Sequence, residues 1–270
     1  MLHIATVHHM TPQWIEIQHR HLHENISVPF QTWTSLQGID PSYSRYFDRV
    51  IDQAGAHAGK LNNLAAEISH EAGDEDLIIF LDGDAFPIAD PMPLITEALE
   101  RAPLLAVRRA ENGGDEQPHP CFCVTSVATW RNIQGDWSPG HRWTSTDGKH
   151  PTDVGGNLLR SLELTQTPWT DILRTNRVTL DPLFFAIYGG IIYHHGAGFR
   201  RGGPSRGYYD SRPKPLPMPK NALARGAMMK VESARLMPWR VKTRVPQILE
   251  SKKVFEKIER GDADWVAYIS

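Results

Sequence analysis

Cysteine is almost missing from this chain of 270 residues, which holds only Cys121 and Cys123. One intervening residue cannot readily close a disulfide, and two thiols alone make no zinc site. A disulfide-stapled secreted fold is therefore excluded, and both cysteines are expected to be packing residues in a reducing setting. Long apolar runs are missing too; none approaches the roughly 20 residues needed to span a bilayer. The opening stretch from Met1 to Val7 is too short and lacks the basic start of a signal peptide, so a cytoplasmic location is expected. What remains is an ordinary globular composition, 40% hydrophobic and 22% charged. The length suffices for one α/β domain plus an extension.

The net charge of −2 gives no reason to expect a nucleic-acid partner, but it hides an asymmetry. Residues 1–195 hold 13 Lys+Arg against 24 Asp+Glu, and residues 196–270 hold 16 against 7. A basic tail on an acidic body points to phosphate, an anionic polymer or a membrane surface, or to a solvated helical face.

The chain is organised around Leu77-Ile78-Ile79-Phe80-Leu81-Asp82-Gly83-Asp84. The apolar run reads as a strand buried on both faces, as in a parallel sheet. Ligands in open α/β sheets sit beyond the carboxyl ends of the strands, so Asp82 and Asp84 are expected to project into a site. Gly83 lets the backbone bend between them. Two acids this close repel unless a cation lies beside them, and their oxygens suit Mg²⁺ or Mn²⁺.

Around that strand the pattern alternates. Residues 2–7 read as a strand, 12–24 as a helix, 28–36 as a strand and 56–71 as an amphipathic helix. After the acids, Asp90-Pro91 caps a helix to Arg101, and strands follow at 104–108 and 121–126. Residues 135–153 read as irregular loop, 158–164 as helix, and 184–193 as strand broken at Gly189-Gly190. This order predicts a mostly parallel sheet flanked by helices. Pro204 to Pro219 reads as linker. Residues 221–260 are basic and helix-prone, with Pro238 and Pro246 expected to break them up.

An apolar strand ending in Asp-x-Asp, about 80 residues into a chain that opens with a strand, resembles the metal-binding motif of GT-A glycosyltransferases. The resemblance implies an α/β GT-A (Rossmann-like) domain over residues 1–203, a Pro-rich linker over 204–220 and a basic helical extension over 221–270. It implies Mn²⁺ or Mg²⁺ as cofactor, with Asp82 and Asp84 holding the cation on the diphosphate of a nucleotide-sugar. The expected donor is a nucleoside diphosphate-sugar such as a UDP-sugar. The expected acceptor is a glycan or a lipid-linked sugar, as in polysaccharide biosynthesis. His195, Gly198 and Arg201 also resemble the late motif of glycogenin-type and lipopolysaccharide galactosyltransferase-type enzymes, with Arg in place of Lys. There His195 (or His194) would complete the metal shell, and Gly198 and Arg201 would face the diphosphate.

Further candidates come from position. His57, Lys60 and Asn63 share one helix face before the metal strand, where the resemblance implies contacts to the donor nucleotide. Thr6 and His8 end the first strand, where such folds bind base and ribose. Asp153 is the expected catalytic carboxylate, with Asp136, Asp147 and Asp181 as rivals. Trp137, Trp143 and Trp169 could stack on sugars, although burial is the commoner fate of tryptophan. The tail could rest on anionic headgroups and give peripheral membrane contact. Two other readings use the same residues: a non-catalytic nucleotide- or glycan-binding module, and a haloacid dehalogenase-like phosphatase. The phosphatase motif wants Thr or Val soon after its second acid, where Ala85-Phe86-Pro87 stand.

Overall fold

The computed structural model describes residues 1–51, 54–145, 148, 150–176, 184–196, 216–217, 219 and 221–270, without the side chains of residues 240, 243 and 244. Its main sheet has seven strands: β1 (Leu2–His9), β2 (Phe30–Gln37), β3 (Arg49–Val50), β4 (Leu77–Asp82), β6 (Leu104–Arg108), β7 (Pro118–Ser126) and β8 (Thr170–Ile172). Their order is β3-β2-β1-β4-β7-β6-β8. The strands β3, β2, β1 and β4 pair in parallel, as do β6 and β8, while β7 runs antiparallel between β4 and β6. This is the expected α/β architecture, a mostly parallel sheet flanked by helices.

The strands at the centre are apolar on both faces because both are covered. On one face α2 (His57–Glu71), α4 (Val127–Asn132) and α5 (Gly156–Leu164) pack through Leu61, Leu64, Trp130 and Leu158. On the other lie Leu22 of α1 (Gln13–Asn25), Ile95 and Ala98 of α3 (Met92–Arg101), and a three-stranded antiparallel sheet. That small sheet orders β5 (Ala85–Pro87), β10 (Ile192–His194) and β9 (Ala186–Tyr188). The break expected at Gly189-Gly190 is a hairpin turn with φ of 58° and 71°, which glycine adopts without strain.

Sheet order decides where a ligand can go. The chain moves outward from β1 to β2 and β3, then returns to place β4 on the other side of β1. The crevice at such a reversal, beyond the carboxyl ends of β1 and β4, is where open α/β sheets bind ligands. Asp82 closes β4 there.

The basic tail departs from expectation. Pro238 and Pro246 do not break it; α6 (Ala222–Arg260) is one helix through both. Each proline removes one intrahelical bond, but the carbonyls released belong to Ala234 and Lys242, both exposed, where water can serve them. The helix is capped at its start by the Asn221 side chain, which accepts from the amides of Leu223 and Ala224. Its last turns pack inward. Val254 and Ile258 join Trp14, Phe86 and Tyr193 in one core cluster with Trp265 of α7 (Trp265–Ile269). Arg20 of α1 donates to the Ile258 carbonyl at 2.8 Å, and Asn176 to that of Ile269 at 2.9 Å.

Because that cluster joins the tail to the catalytic-side core, Ile258→Ala is expected to lower the stability of the whole chain by about 2–5 kcal/mol. Chemical denaturation followed by tryptophan fluorescence should show one shifted transition; a separate early transition would mean that the tail folds independently.

Candidate active site

The crevice beyond β1 and β4 is built on a tight turn. A Cβ on Gly83 would lie 2.6 Å from the Val7 carbonyl oxygen and 2.7 Å from His8 Nδ1. Only glycine lets the two strand ends approach this closely, and the approach sets Asp82 and Asp84 on either side of the turn. Beneath the turn sits the buried Gln18 of α1. Its Nε2 donates to the carbonyls of Asp82 at 2.9 Å and Ala85 at 2.7 Å. With that assignment, its Oε1 accepts from Thr6 Oγ1 at 3.2 Å and from His8 Nε2 at 3.1 Å.

This brace bears on one expectation. Thr6 and His8 are buried, with Thr6 Oγ1 and His8 Nε2 turned to Gln18, while His8 Nδ1 meets no hydrogen-bond partner among the described residues. Burial pushes the His8 imidazole down to about 4, leaving a neutral ring that donates through Nε2. Gln18 itself, an amide on an amphipathic helix, carried no signal in sequence beyond its place on the apolar face.

Three side chains converge above the turn. Asp82, Asp84 and His194 each offer a ligand atom, and these atoms lie within 4.8 Å of one another. His194 Nε2 is 3.5 Å from Asp82 Oδ2 and 3.3 Å from Asp84 Oδ1. His194 reaches them because β10 pairs antiparallel with β5, with His194 opposite Ala85. The structure thus selects His194 over His195. The His195 side chain is buried, bonded through Nδ1 to the Tyr193 hydroxyl and through Nε2 to Ser251 Oγ of α6, both at 2.7 Å. It also lies against Trp14, with ring centroids 4.6 Å apart. Successive residues of a strand point to opposite faces, so only one of the two histidines can face the acids.

The acids are compensated. Burial pushes the Asp82 carboxyl up, but the 3.1 Å bond to His57 Nε2, with His194 nearby, outweighs it and holds it well below the usual range. For Asp84, burial likewise acts upward and is outweighed chiefly by His194. His119 escaped the sequence reading. It is placed by an irregularity in β7, where the register jumps from Ala106 opposite Cys123 to Val107 opposite His119. Its ring centroid is 6.0 Å from that of His194, and its Nδ1 accepts from the Cys121 amide. Burial, then Arg109, keep His119 well below its ordinary value and thus neutral.

Two carboxylates with an imidazole form a donor set that fits a small divalent cation, Mn²⁺ better than Mg²⁺ because of the nitrogen. Asp82 and His194 are buried and Asp84 half-buried, unlike common surface acids, which adds to the fit.

The other candidates are scattered. His57 touches Asp82, but the Lys60 ammonium is buried and donates to Gln37 Oε1 at the end of β2. Asn63 is half-buried and bonds no described residue, whereas its neighbour Asn62 holds Asp136 and the Trp137 amide. Asp153 is partly exposed and accepts from Arg109 Nη2 at 3.1 Å. Arg109, itself buried, also reaches Asp115 at 3.3 Å. Trp137 and Trp143 are buried, so neither offers a face to a sugar, and Trp169 is partly buried against the core. Cys121 and Cys123 are free and buried, as expected of packing residues. Gly198, Arg201, Asp147 and Asp181 lie outside the described residues.

Two predictions follow from the brace and the buried imidazoles. Gln18→Ala leaves two donors and two carbonyls without partners, and is expected to cost on the order of 3 kcal/mol or more in thermal denaturation. Burial lowers His8 to about 4 and His195 to about 3. Both rings charge in the unfolded chain below about 6.5 but stay neutral in the folded one. Stability is therefore full above about pH 6.5 and falls as pH drops toward 4, by on the order of 3 kcal/mol per histidine. His195→Gln should flatten that slope when stability is measured across the range.

Comparisons with known proteins give folds rather than relatives. No family model and no curated protein matches the chain. Solved structures do. TarS of S. aureus matches at 9% identity over 51% of this chain and 30% of that one, with a TM-score of 0.37. The galactosyltransferase LgtC, solved with donor and acceptor sugar analogs, matches at 11% over 59% and 70%, with 0.38. The mannosyltransferase PcManGT from Pyrobaculum calidifontis, solved with GDP-Man and Mn²⁺, matches at 10% over 51% and 47%, with 0.40. The chain spans less than a third of TarS and about half of PcManGT. At these TM-scores any function has to be built from the chain's own residues, and the chain is, in structure, similar to glycosyltransferases.

Proposed function

We propose that this protein is a metal-dependent glycosyltransferase that moves a sugar from a nucleoside diphosphate-sugar, a UDP-sugar in the simplest case, to a glycan or lipid-linked acceptor. One observation carries the reading: an Asp-x-Asp pair, Asp82 buried and Asp84 half-buried, with His194 against it at the sheet's reversal point. An anionic pair of this kind has little use in a plain binding crevice, but it is what a polyanionic leaving group needs once a cation lies between the two.

Asp82, Asp84 and His194 would hold Mn²⁺ or Mg²⁺, and the bound cation would neutralise charge building up on the departing diphosphate. The protein's own residues do the rest. His57 bonds the outer oxygen of Asp82 and fixes the carboxylate's orientation. Gln18 fixes the turn between the acids. His119 and His194 leave the crevice lined with imidazole nitrogen rather than a second layer of acid. Asp153 keeps part of its carboxylate toward solvent while Arg109 anchors the other edge, which suits a group that orients or deprotonates an acceptor hydroxyl. Gly198 and Arg201 remain candidates for the diphosphate by sequence alone.

The test is hydrolysis and transfer from a panel of nucleotide-sugars with Mn²⁺, with and without EDTA. EDTA is expected to abolish turnover and Mn²⁺ to restore it. Asp84→Ala and His194→Ala are each expected to lower kcat/KM by a factor on the order of 100, whereas His195→Gln should keep metal affinity near that of the wild type. Metal-dependent nucleotide binding without turnover would favour a binding module, and phosphate release from a simple ester would favour a phosphatase.

A further inference from the structure

We infer that the middle of α6 is a docking surface for an anionic lipid bilayer. The helix uses one face to pack on the protein, through Leu236, Gln247, Ser251 and Val254. A separate face carries Met237, Val241, Val245 and Ile248, exposed at 52%, 53%, 45% and 44%. These are spaced by four, four and three residues, the repeat of a single helical stripe. Solvent-facing helices normally show polar residues there, so four exposed aliphatic side chains in line are a surface in want of a partner.

Charge identifies that partner. Residues 230–252 hold six basic residues against two acids, Glu232 and Glu250, and Arg235 pairs with the buried Glu232 at 2.9 Å. Exposed Lys230 and Lys252 stand at the two ends of the segment. An apolar stripe on a segment of net positive charge is the pattern of a helix lying in the headgroup layer of an anionic membrane, with its aliphatic side chains reaching the acyl boundary. A second copy docking through the same face would bring two basic surfaces together. The stretch 197–220 is unsuited to cover the stripe, since it holds six basic residues and one acid. No helix among the described residues is long and apolar enough to cross a membrane, so the contact is peripheral.

The placement matters for the crevice. Ser251, on the face of α6 packed against the protein, shares a 2.7 Å hydrogen bond with His195, the neighbour of His194. That bond ties α6 to the end of the sheet that carries the acids. This inference does not depend on the proposed transfer reaction.

The experiment is co-sedimentation of the full chain with vesicles of phosphatidylcholine, with and without phosphatidylglycerol. The chain is expected to pellet with the anionic vesicles at low salt and to be released near about 1 M salt, where charge is screened within about 3 Å. A Val241→Glu, Ile248→Glu double variant changes only exposed positions and should keep the circular dichroism of the wild type. It is expected to bind roughly tenfold more weakly or worse, and Lys242→Glu should bind anionic vesicles more weakly as well. Absence of pelleting, equal pelleting with both lipid mixtures, or wild-type pelleting of the double variant would each overturn the inference. So would a dimer in analytical ultracentrifugation that the double variant converts to monomer, since a second copy would then cover the stripe.

Discussion

Two carboxylates held side by side at the end of a buried strand are a standing electrostatic problem. Their mutual repulsion grows as water is removed, and the chain needs compensation on every side of them. His57 comes from the start of α2 and His194 from the small sheet, while the neutral ring of His119 arrives beside them through the displaced register of β7. Three elements far apart in sequence thus converge on one pair of acids. The architecture around the crevice follows from that convergence: β5 leaves the Asp-x-Asp turn directly into the small sheet, and β10 pairs with it so that His194 returns over the turn.

The turn would be unstable without support from below. The carbonyls of Asp82 and Ala85 point into the interior as the chain doubles back, where an unpaired carbonyl costs as much as a lost hydrogen bond. Gln18 receives both and is itself held by Thr6 and His8. All four of its hydrogen-bonding positions are used, so the amide can occupy only one orientation. A fully satisfied buried polar group of this kind rigidifies the residues it joins, here the ends of β1 and β4 and the middle of α1. The pair of acids is thus supported by a polar network rather than by apolar packing.

How much of this was readable in the sequence depends on range. The strand at Leu77–Asp82 and its acids were legible because apolar run, glycine and carboxylates are contiguous. The crossover helices and the break at Gly189-Gly190, though not its hairpin, were legible for the same reason. Gln18, His119 and the choice of His194 over His195 were not, because each depends on pairing between distant segments. A strand's side-chain alternation tells that adjacent histidines face opposite ways, but not which face meets the site. Thr6 and His8 were read as ligand contacts from their place at a strand end; in the fold both bond Gln18 of α1. The prolines of α6 misled through a local rule that holds when the freed carbonyl is buried and relaxes when it is exposed.

The tail shows how position changes the meaning of composition. Ten basic residues over 221–260 could belong to a solvated helix, a closing flap or a surface contact. The fold separates them by distance along the helix. The end of α6 is committed to the core through Val254 and Ile258, and its charges are spent locally, with Lys257 on Asp264 and Arg260 on Asp262. Between Glu232 and Glu250 the helix carries no acid, and Met237, Val241, Val245 and Ile248 turn outward. A tail whose only task was to close over the acidic body would be expected to carry its apolar residues inward along its whole length, since burial is what would hold it there. The outward stripe in the middle of α6 is the feature that such a role leaves unexplained.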